Sequence, residues 1–270
     1  MTEPVFDCDQ VSGAELLDAV TRQGAALIRN AIDHEAIAGM LARADEVYAA
    51  WESKYERGEL NAGDRQVFET GHVVPAAVDR EGESFSVILF LVRSRLSRVL
   101  STLWDGNLIF LGTNCVPRRQ QPGGSINVAV PFHQDASFVG TWGLVLNFWI
   151  PLVACGRDAP GLEVVLDPPP GLIARDAPFD LTRTDYSGMD LPEQEVIAKY
   201  GAAKLWHPQM EAGDVLVFSS LAIHRTYETA DMTRTRTSLE VRCADGANPK
   251  LPVERGDLVP VRLSAKQTSG

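Results

Sequence analysis

The sequence predicts a mainly β fold, an antiparallel sandwich or barrel with helices from its N-terminal part packed on one outer face. Two observations carry this. Beyond residue 106 the chain breaks into six short β-type runs separated by Pro and Gly clusters, with no helical patterns between most of them. Before that point the apolar residues recur at three- and four-residue steps. The 270 residues suffice for a large core, and the 45% hydrophobic and 23% charged content is that of a globular chain, not of a disordered one. One unit over 1–270 is expected, divided into a mostly helical part (1–106), a β core (107–245) carrying an insertion (168–209), and a C-terminal tail (246–270).

Glu15 to Val20 forms a short amphipathic run and Gly24 to Arg29 a brief apolar strand. A longer helix starts behind Asp33, a residue able to cap it. Its stripe is Ile37, Met40, Leu41, Ala44, Val47, Tyr48, Trp51 and Tyr55. Arg57 to Glu83, rich in Gly, Asp, Glu and Pro, reads as a surface connection. A second helix is expected from Phe85 to Trp104, stopped by Gly106. The strands follow at Asn107 to Val116, Ser125 to Asp135, Gly143 to Leu152, Leu162 to Leu166, Asp214 to Ser219 and Arg234 to Cys243. Pro168 to Gln209 is long for a strand connection and holds a helical candidate at Glu193 to Tyr200, so a lid is expected there.

Several partners are excluded. A net charge of −11, with no long basic stretch, argues against nucleic acid. The longest aliphatic and aromatic run, Val87 to Val92, falls far short of the ~20 residues of a membrane span. The first ten residues carry Glu3, Asp7 and Asp9 and no signal-peptide pattern, so a cytoplasmic protein is expected. Cys8, Cys115, Cys155 and Cys243 are scattered and read as reduced packing residues.

The chemistry is concentrated in few residues. His133 and Asp135 lie two apart in a strand-like run, which puts both side chains on one face. A His and a carboxylate side by side make two-thirds of the facial triad that holds non-haem Fe(II) and leaves positions open. His224, behind the Gly-Asp turn and apolar run of residues 213–220, supplies a third ligand from a distant strand. Twelve residues on, Arg236 and Ser238 share a strand face, and a guanidinium beside a hydroxyl suits a carboxylate. Arg234 and Arg242 lie on that face too, so the clamp assignment has alternatives. Asn114, Asn127, Asn147 and Trp149 are cofactor contacts or core residues. Arg118 and Arg119 read as solvated loop arginines or contacts to an anionic substrate. His34, His72 and His207 read as surface residues, His207 being the one near the insertion.

The segments PFHQDASF (131–138), LNFWIPLVACGRDAPGLEVV (146–165) and GDVLVFSSLAIHRTYETADMTRTRTSLEVR (213–242) resemble the phytanoyl-CoA dioxygenase-like family of Fe(II)- and 2-oxoglutarate-dependent oxygenases. The resemblance implies a double-stranded β-helix, the cupin-like jelly roll. It implies His133, Asp135 and His224 as iron ligands, and Arg236 with Ser238 as the clamp for the distal carboxylate of 2-oxoglutarate. The implied activity is O2-dependent hydroxylation of a small molecule with release of succinate and CO2. The family's usual PGSH segment is replaced here by Leu166 to Pro170. Related halogenases lack the metal-binding carboxylate, so Asp135 favours hydroxylation. Two rival readings are a cupin-like isomerase or hydrolase that does not use 2-oxoglutarate and a non-catalytic binding protein on the same scaffold. The sequence names neither the substrate nor the oligomeric state.

Overall fold

The computed structural model describes residues 2–124, 129–175, 186 and 188–264. Its elements are β1 (Val5–Asp7), α1 (Gly13–Gln23), β2 (Ala25–Arg29), α2 (His34–Glu56), α3 (Ala62–Glu69), α4 (Ser86–Val92), α5 (Ser97–Thr102), β3 (Asn107–Leu111), β4 (Val116–Gln120), α6 (Ala136–Val139), β5 (Val145–Pro151), β6 (Gly161–Val165), α7 (Glu193–Tyr200), β7 (Leu205–Trp206), β8 (Val215–Ser219), β9 (His224–Tyr227), β10 (Arg236–Asp245) and β11 (Leu258–Arg262). An eight-stranded sheet runs β1-β2-β8-β5-β10-β3-β11, with β4 also paired to β10. A smaller sheet, β7-β6-β9, lies against it. The fold is the expected jelly roll with helices on one outer face.

Strand alternation divides the large sheet into two faces. On the outer face Ala26, Ile28, Leu146, Phe148, Ile150, Val215, Val217, Leu239, Val241 and Cys243 pack with Leu16, Val20, Ile37, Met40, Tyr48, Ile88, Leu91 and Leu100 of the helices. On the inner face Leu27, Trp149, Leu216 and Phe218 meet Leu162, Val164 and Trp206 of the small sheet. Each such fully buried side chain contributes roughly 1.5–3 kcal/mol. Both faces of β8 and, apart from Asn147, of β5 are therefore apolar, which explains their near-continuous hydrophobic runs.

The local signals explain the helices. Ser12 and Glu15 form a reciprocal capping box at α1, and Gly24 ends it in the left-handed region at φ 89°. Asp33 occupies the cap position of α2, but its carboxylate bonds to none of the helix amides. Ile37, Met40, Ala44, Val47, Tyr48 and Trp51 are buried as the stripe requires.

Several expectations are corrected. Phe85 to Trp104 is not one helix but α4 and α5, because residues 93–96 turn between them. Gly106 does stop the segment, at φ 70°, and a Cβ there would meet the carbonyl of Leu263. Residues 57–83 are not a structureless connection, since Asn61 caps α3 by accepting from the Asp64 amide. Asn107 to Val116 breaks at a 3-10 turn (Gly112–Asn114) into β3 and β4. The N-terminal part contributes β1 and β2, which pair in parallel at the sheet edge, and the tail contributes β11, paired with β3. Of the run Ser125 to Asp135, residues 125–128 lie outside the described residues, and 129–135 form an isolated bridge at His133 rather than a strand. Among the described residues no helix is long and apolar enough to cross a membrane. All four cysteines are free and buried.

Candidate metal centre

His133 and His224 come from segments distant in sequence and are joined by main chain. Asp135 opens α6 with helical backbone angles (φ −56°, ψ −28°). The expected shared strand face is therefore incorrect. The helical turn brings the carboxylate beside the imidazole all the same, with Asp135 Oδ1 3.4 Å from His133 Nε2 and 3.6 Å from His224 Nε2. All three residues are buried.

Each ligand atom has a defined role. His133 Nδ1 donates to the Pro131 carbonyl at 2.9 Å and His224 Nδ1 to the Ala222 carbonyl at 3.0 Å. Both Nε2 lone pairs are thereby turned toward Asp135. Asp135 Oδ2 accepts from Arg242 Nε at 2.8 Å and from Asn147 Nδ2 at 3.2 Å. Its Oδ1 is buried without a hydrogen-bond partner. Two nitrogen lone pairs and one orphaned carboxylate oxygen, all within 4.8 Å of one another, fit a single divalent ion with bonds of roughly 2.0–2.2 Å. Nitrogen and oxygen donors from two His and one carboxylate match Fe(II).

Electrostatics keep the set in its metal-binding form. Burial alone would raise the Asp135 pKa, but Arg242, with His133 and His224, holds it well below the usual carboxylate range. Burial, then His133, push His224 down to about 4. The thiols are not competing ligands, since burial pushes Cys115 and Cys155 up to about 12.

The triad opens into a cavity of about 600 Å³. Arg236 lines it, 1% exposed, with Nε and Nη1 lacking any partner. Its guanidinium lies 5.1 Å from the ring centroid of Trp149, which also lines the cavity. Burial, then Arg118, push Arg236 down to about 10, which still leaves it a cation at neutral pH. A buried guanidinium without a carboxylate is costly unless an anion joins it. Ser238 is fully buried on the same face of β10, its Oγ unpartnered, and does not itself reach the cavity wall. Asn114 reaches the wall with its Oδ1 accepting from Arg255 Nη2 at 2.7 Å and its carbonyl from Arg242 Nη1 at 2.9 Å. Asn127 lies outside the described residues. Of the clamp alternatives, Arg242 is committed to Asp135 and Glu240, and Arg234 is exposed.

Some cavity residues were not expected there. Arg118 is a buried β4 residue and Tyr186, Met189 and His72 stand in the wall, although His72 and Arg118 read as surface positions in the sequence. The segment 70–72 is held on β4, with a bridge between His72 and Arg118, a bond from Arg119 N–H to the Gly71 carbonyl and one from Tyr48 OH to the same oxygen. It is a fixed wall. One usable signal exists: Arg236, Ser238, Glu240 and Arg242 alternate with Thr237, Leu239, Val241 and Cys243, which marks a polar-lined inner face on β10.

A sequence model of the phytanoyl-CoA dioxygenase (PhyH) family matches residues 20–235. No curated protein matches the chain. Solved structures with a similar fold include AviO1 from Streptomyces viridochromogenes Tue57, 19% identical over 89% of this chain and 98% of that one, TM-score 0.57. Another is the epimerase SnoN in complex with Fe3+, alpha ketoglutarate and nogalamycin RO, 16% identical over 94% of each chain, TM-score 0.56. A second structure of SnoN, described as a non-heme alpha ketoglutarate dependent epimerase from nogalamycin biosynthesis, covers 91% of this chain and 89% of its own at 16% identity, TM-score 0.58.

Proposed function

The chain belongs to the phytanoyl-CoA dioxygenase family, and from that we propose that it is an Fe(II)- and 2-oxoglutarate-dependent dioxygenase that hydroxylates a small-molecule substrate, releasing succinate and CO2. The observation that carries this reading is one cavity holding two unmet demands. Asp135 Oδ1 and two imidazole lone pairs ask for a cation, and the unpaired guanidinium of Arg236 asks for an anion. Iron and a dicarboxylate co-substrate answer both. The complex of SnoN with Fe3+ and alpha ketoglutarate supports the pairing on this fold.

In this reading His133, Asp135 and His224 hold Fe(II), and Arg236 grips the distal carboxylate of 2-oxoglutarate, with Ser238 buried beside it on the same face of β10, behind the cavity wall. When bound, iron with 2-oxoglutarate and O2 supplies the oxidising power for a C–H bond. The chain does the positioning. His133 and His224 turn Nε2 toward the site because their Nδ1–H groups donate to the Pro131 and Ala222 carbonyls. Arg242 and Asn147 engage Oδ2, so a single oxygen of Asp135 faces the ion. Trp149 supports the guanidinium of Arg236 through its ring face.

Asp135 supports hydroxylation over halogenation, because it fills the position that a halide takes where the carboxylate is lacking. A cupin-like enzyme without 2-oxoglutarate has no use for the buried Arg236. The test is turnover with 18O2 and a panel of small molecules, following succinate and product mass. Hydroxylation predicts succinate in step with a product that gains one labelled oxygen. Succinate in step with a product of unchanged mass contradicts hydroxylation and points to an inversion of the kind named for SnoN.

A further inference from the structure

The cavity holds a second set of groups that iron and 2-oxoglutarate leave unused. His72, from the segment after α3, and Glu240, from β10, face each other with His72 Nε2 4.0 Å from Glu240 Oε2. Their hydrogen-bond roles follow from their neighbours. Thr70 Oγ1 gives its one proton to the Val67 carbonyl at 2.8 Å, so it accepts from His72 Nδ1–H at 3.0 Å. His72 Nε2 therefore carries a lone pair. Burial, then Arg118, push His72 down to about 3, so the ring is neutral at neutral pH. Burial works to raise Glu240, but Arg242, His72 and Arg118 together outweigh it and bring the carboxyl to about 2, so Glu240 is ionised.

Two acceptors thus face each other. Among the described residues Arg242 Nη2, at 2.9 Å, is the donor to Glu240, and none donates to His72 Nε2. The His72 side chain is partly exposed in the cavity wall, so its Nε2 is open to a donor that enters there. Acceptors 4.0 Å apart accommodate a group with two hydrogens at about 2.9 Å from each. Glu240 and Asp135 bond to two edges of one guanidinium, that of Arg242, so this pair lies one guanidinium's breadth from the proposed metal carboxylate. The wall beyond is apolar, with Val67, Val73, Val74, Val116, Phe138 and Met189.

The geometry points to a substrate-recognition site in which His72 Nε2 and the Glu240 carboxylate receive two hydrogen-bond donors of the substrate, from an amine or from adjacent hydroxyls, while its apolar body fills the remaining cavity. This rests on reading the cavity as the substrate chamber of the proposed dioxygenase. It defines the substrate class as a mainly apolar molecule with one paired-donor group close to the carbon that is oxidised.

The probes are cyclohexylamine, cis-1,2-cyclohexanediol and cyclohexanone, the last having no donor. Binding to the full chain is measured by saturation-transfer NMR, both metal-free and with Zn(II) and 2-oxoglutarate added. The amine or the diol is expected to bind at least about tenfold more tightly than the ketone. His72→Phe and Glu240→Gln should each weaken the donor probe about tenfold and leave the ketone unchanged. The 15N resonance of His72 Nε2, identified by its loss in His72→Phe, should move with the donor probe only. Which of the two donor probes responds assigns the group as amine or diol. Equal affinity for all three probes in both states, or a His72 resonance that no probe moves, overturns the proposal. Because one state contains no metal or co-substrate, a failure here is distinct from a failure of the dioxygenase reading, which 2-oxoglutarate binding reports separately.

Discussion

His133 and His224 exchange both of their main-chain hydrogen bonds, His133 N–H donating to the His224 carbonyl at 2.9 Å and His224 N–H to the His133 carbonyl at 3.1 Å. The pairing sets the two imidazoles side by side, ring centroids 4.1 Å apart, whether or not either side chain binds metal. Replacing one ring therefore removes a ligand and keeps the frame. His224→Ala is expected to fold and to lose more than about a hundredfold in Co(II) affinity, since outer partners of ligands alone account for 10–100-fold. Titration of the cobalt absorption bands checks this, and wild-type affinity would remove His224 from the ligand set.

Arg242 is the residue through which Asp135 is aimed. Its Nε holds Oδ2, and its Nη2 is held in turn by Glu240. Arg242→Met should lower Co(II) affinity about 10–100-fold and cost roughly 3–5 kcal/mol of stability, because it strands buried carboxylates. Arg242→Lys keeps the charge without the fork and should fall between. Cobalt titration with thermal melts separates aiming from stability: unchanged metal affinity in Arg242→Met would refute the positioning role.

Arg236 is expected to matter for the co-substrate and little for the metal. Arg236→Ala should weaken 2-oxoglutarate by about 10–100-fold, the worth of a charge-assisted bond of roughly 1.5–3 kcal/mol. Calorimetry with Co(II)-loaded protein tests it, and equal affinity in variant and parent would place the anion elsewhere.

The metal-free protein should lose stability in acid partly through His72. Burial disfavours a charged ring most, Arg118 of β4 and Arg242 and Arg236 of β10 add to it, and Glu240 opposes them, while Thr70 Oγ1 accepts from Nδ1–H. With a folded value of about 3 against 6.5, the unfolded chain takes up the proton first as pH falls. The loss therefore begins near pH 6.5, grows toward pH 3, and is absent above. His224, lowered to about 4, acts with the same sign. His72→Phe should show a smaller fall in melting temperature between pH 7 and 5 than the parent, and parallel curves would show that His72 is not buried neutral.

Much of this was legible in the sequence, and the reason differs by element. The β8 strand and the long stripe of α2 are regular patterns over a single element, so periodicity gave them away. His133, Asp135 and His224 were legible as residue types in order, although the backbone around Asp135 is a helical turn and not a strand. What was hidden depends on contacts between distant segments. The turn at residues 93–96 divides an apolar run that has no Gly or Pro inside it. The strand β1 is only three residues long and β11 carries Pro260 at its centre, which argues against a strand in sequence, and both exist by pairing with β2 and β3. His72 enters the cavity because residues 70–72 are held on β4, which no local pattern encodes.

The central claim is that one cavity binds iron through His133, Asp135 and His224 and 2-oxoglutarate through Arg236. Anaerobic addition of Fe(II) and 2-oxoglutarate to the purified protein tests it most directly, by the weak visible charge-transfer band of 2-oxoglutarate chelated to Fe(II). The account predicts that the band appears, that it is abolished in Asp135→Ala, and that Arg236→Ala requires far more 2-oxoglutarate to reach it. Protein shown to carry Fe(II) at this site that develops no band at saturating 2-oxoglutarate would contradict it.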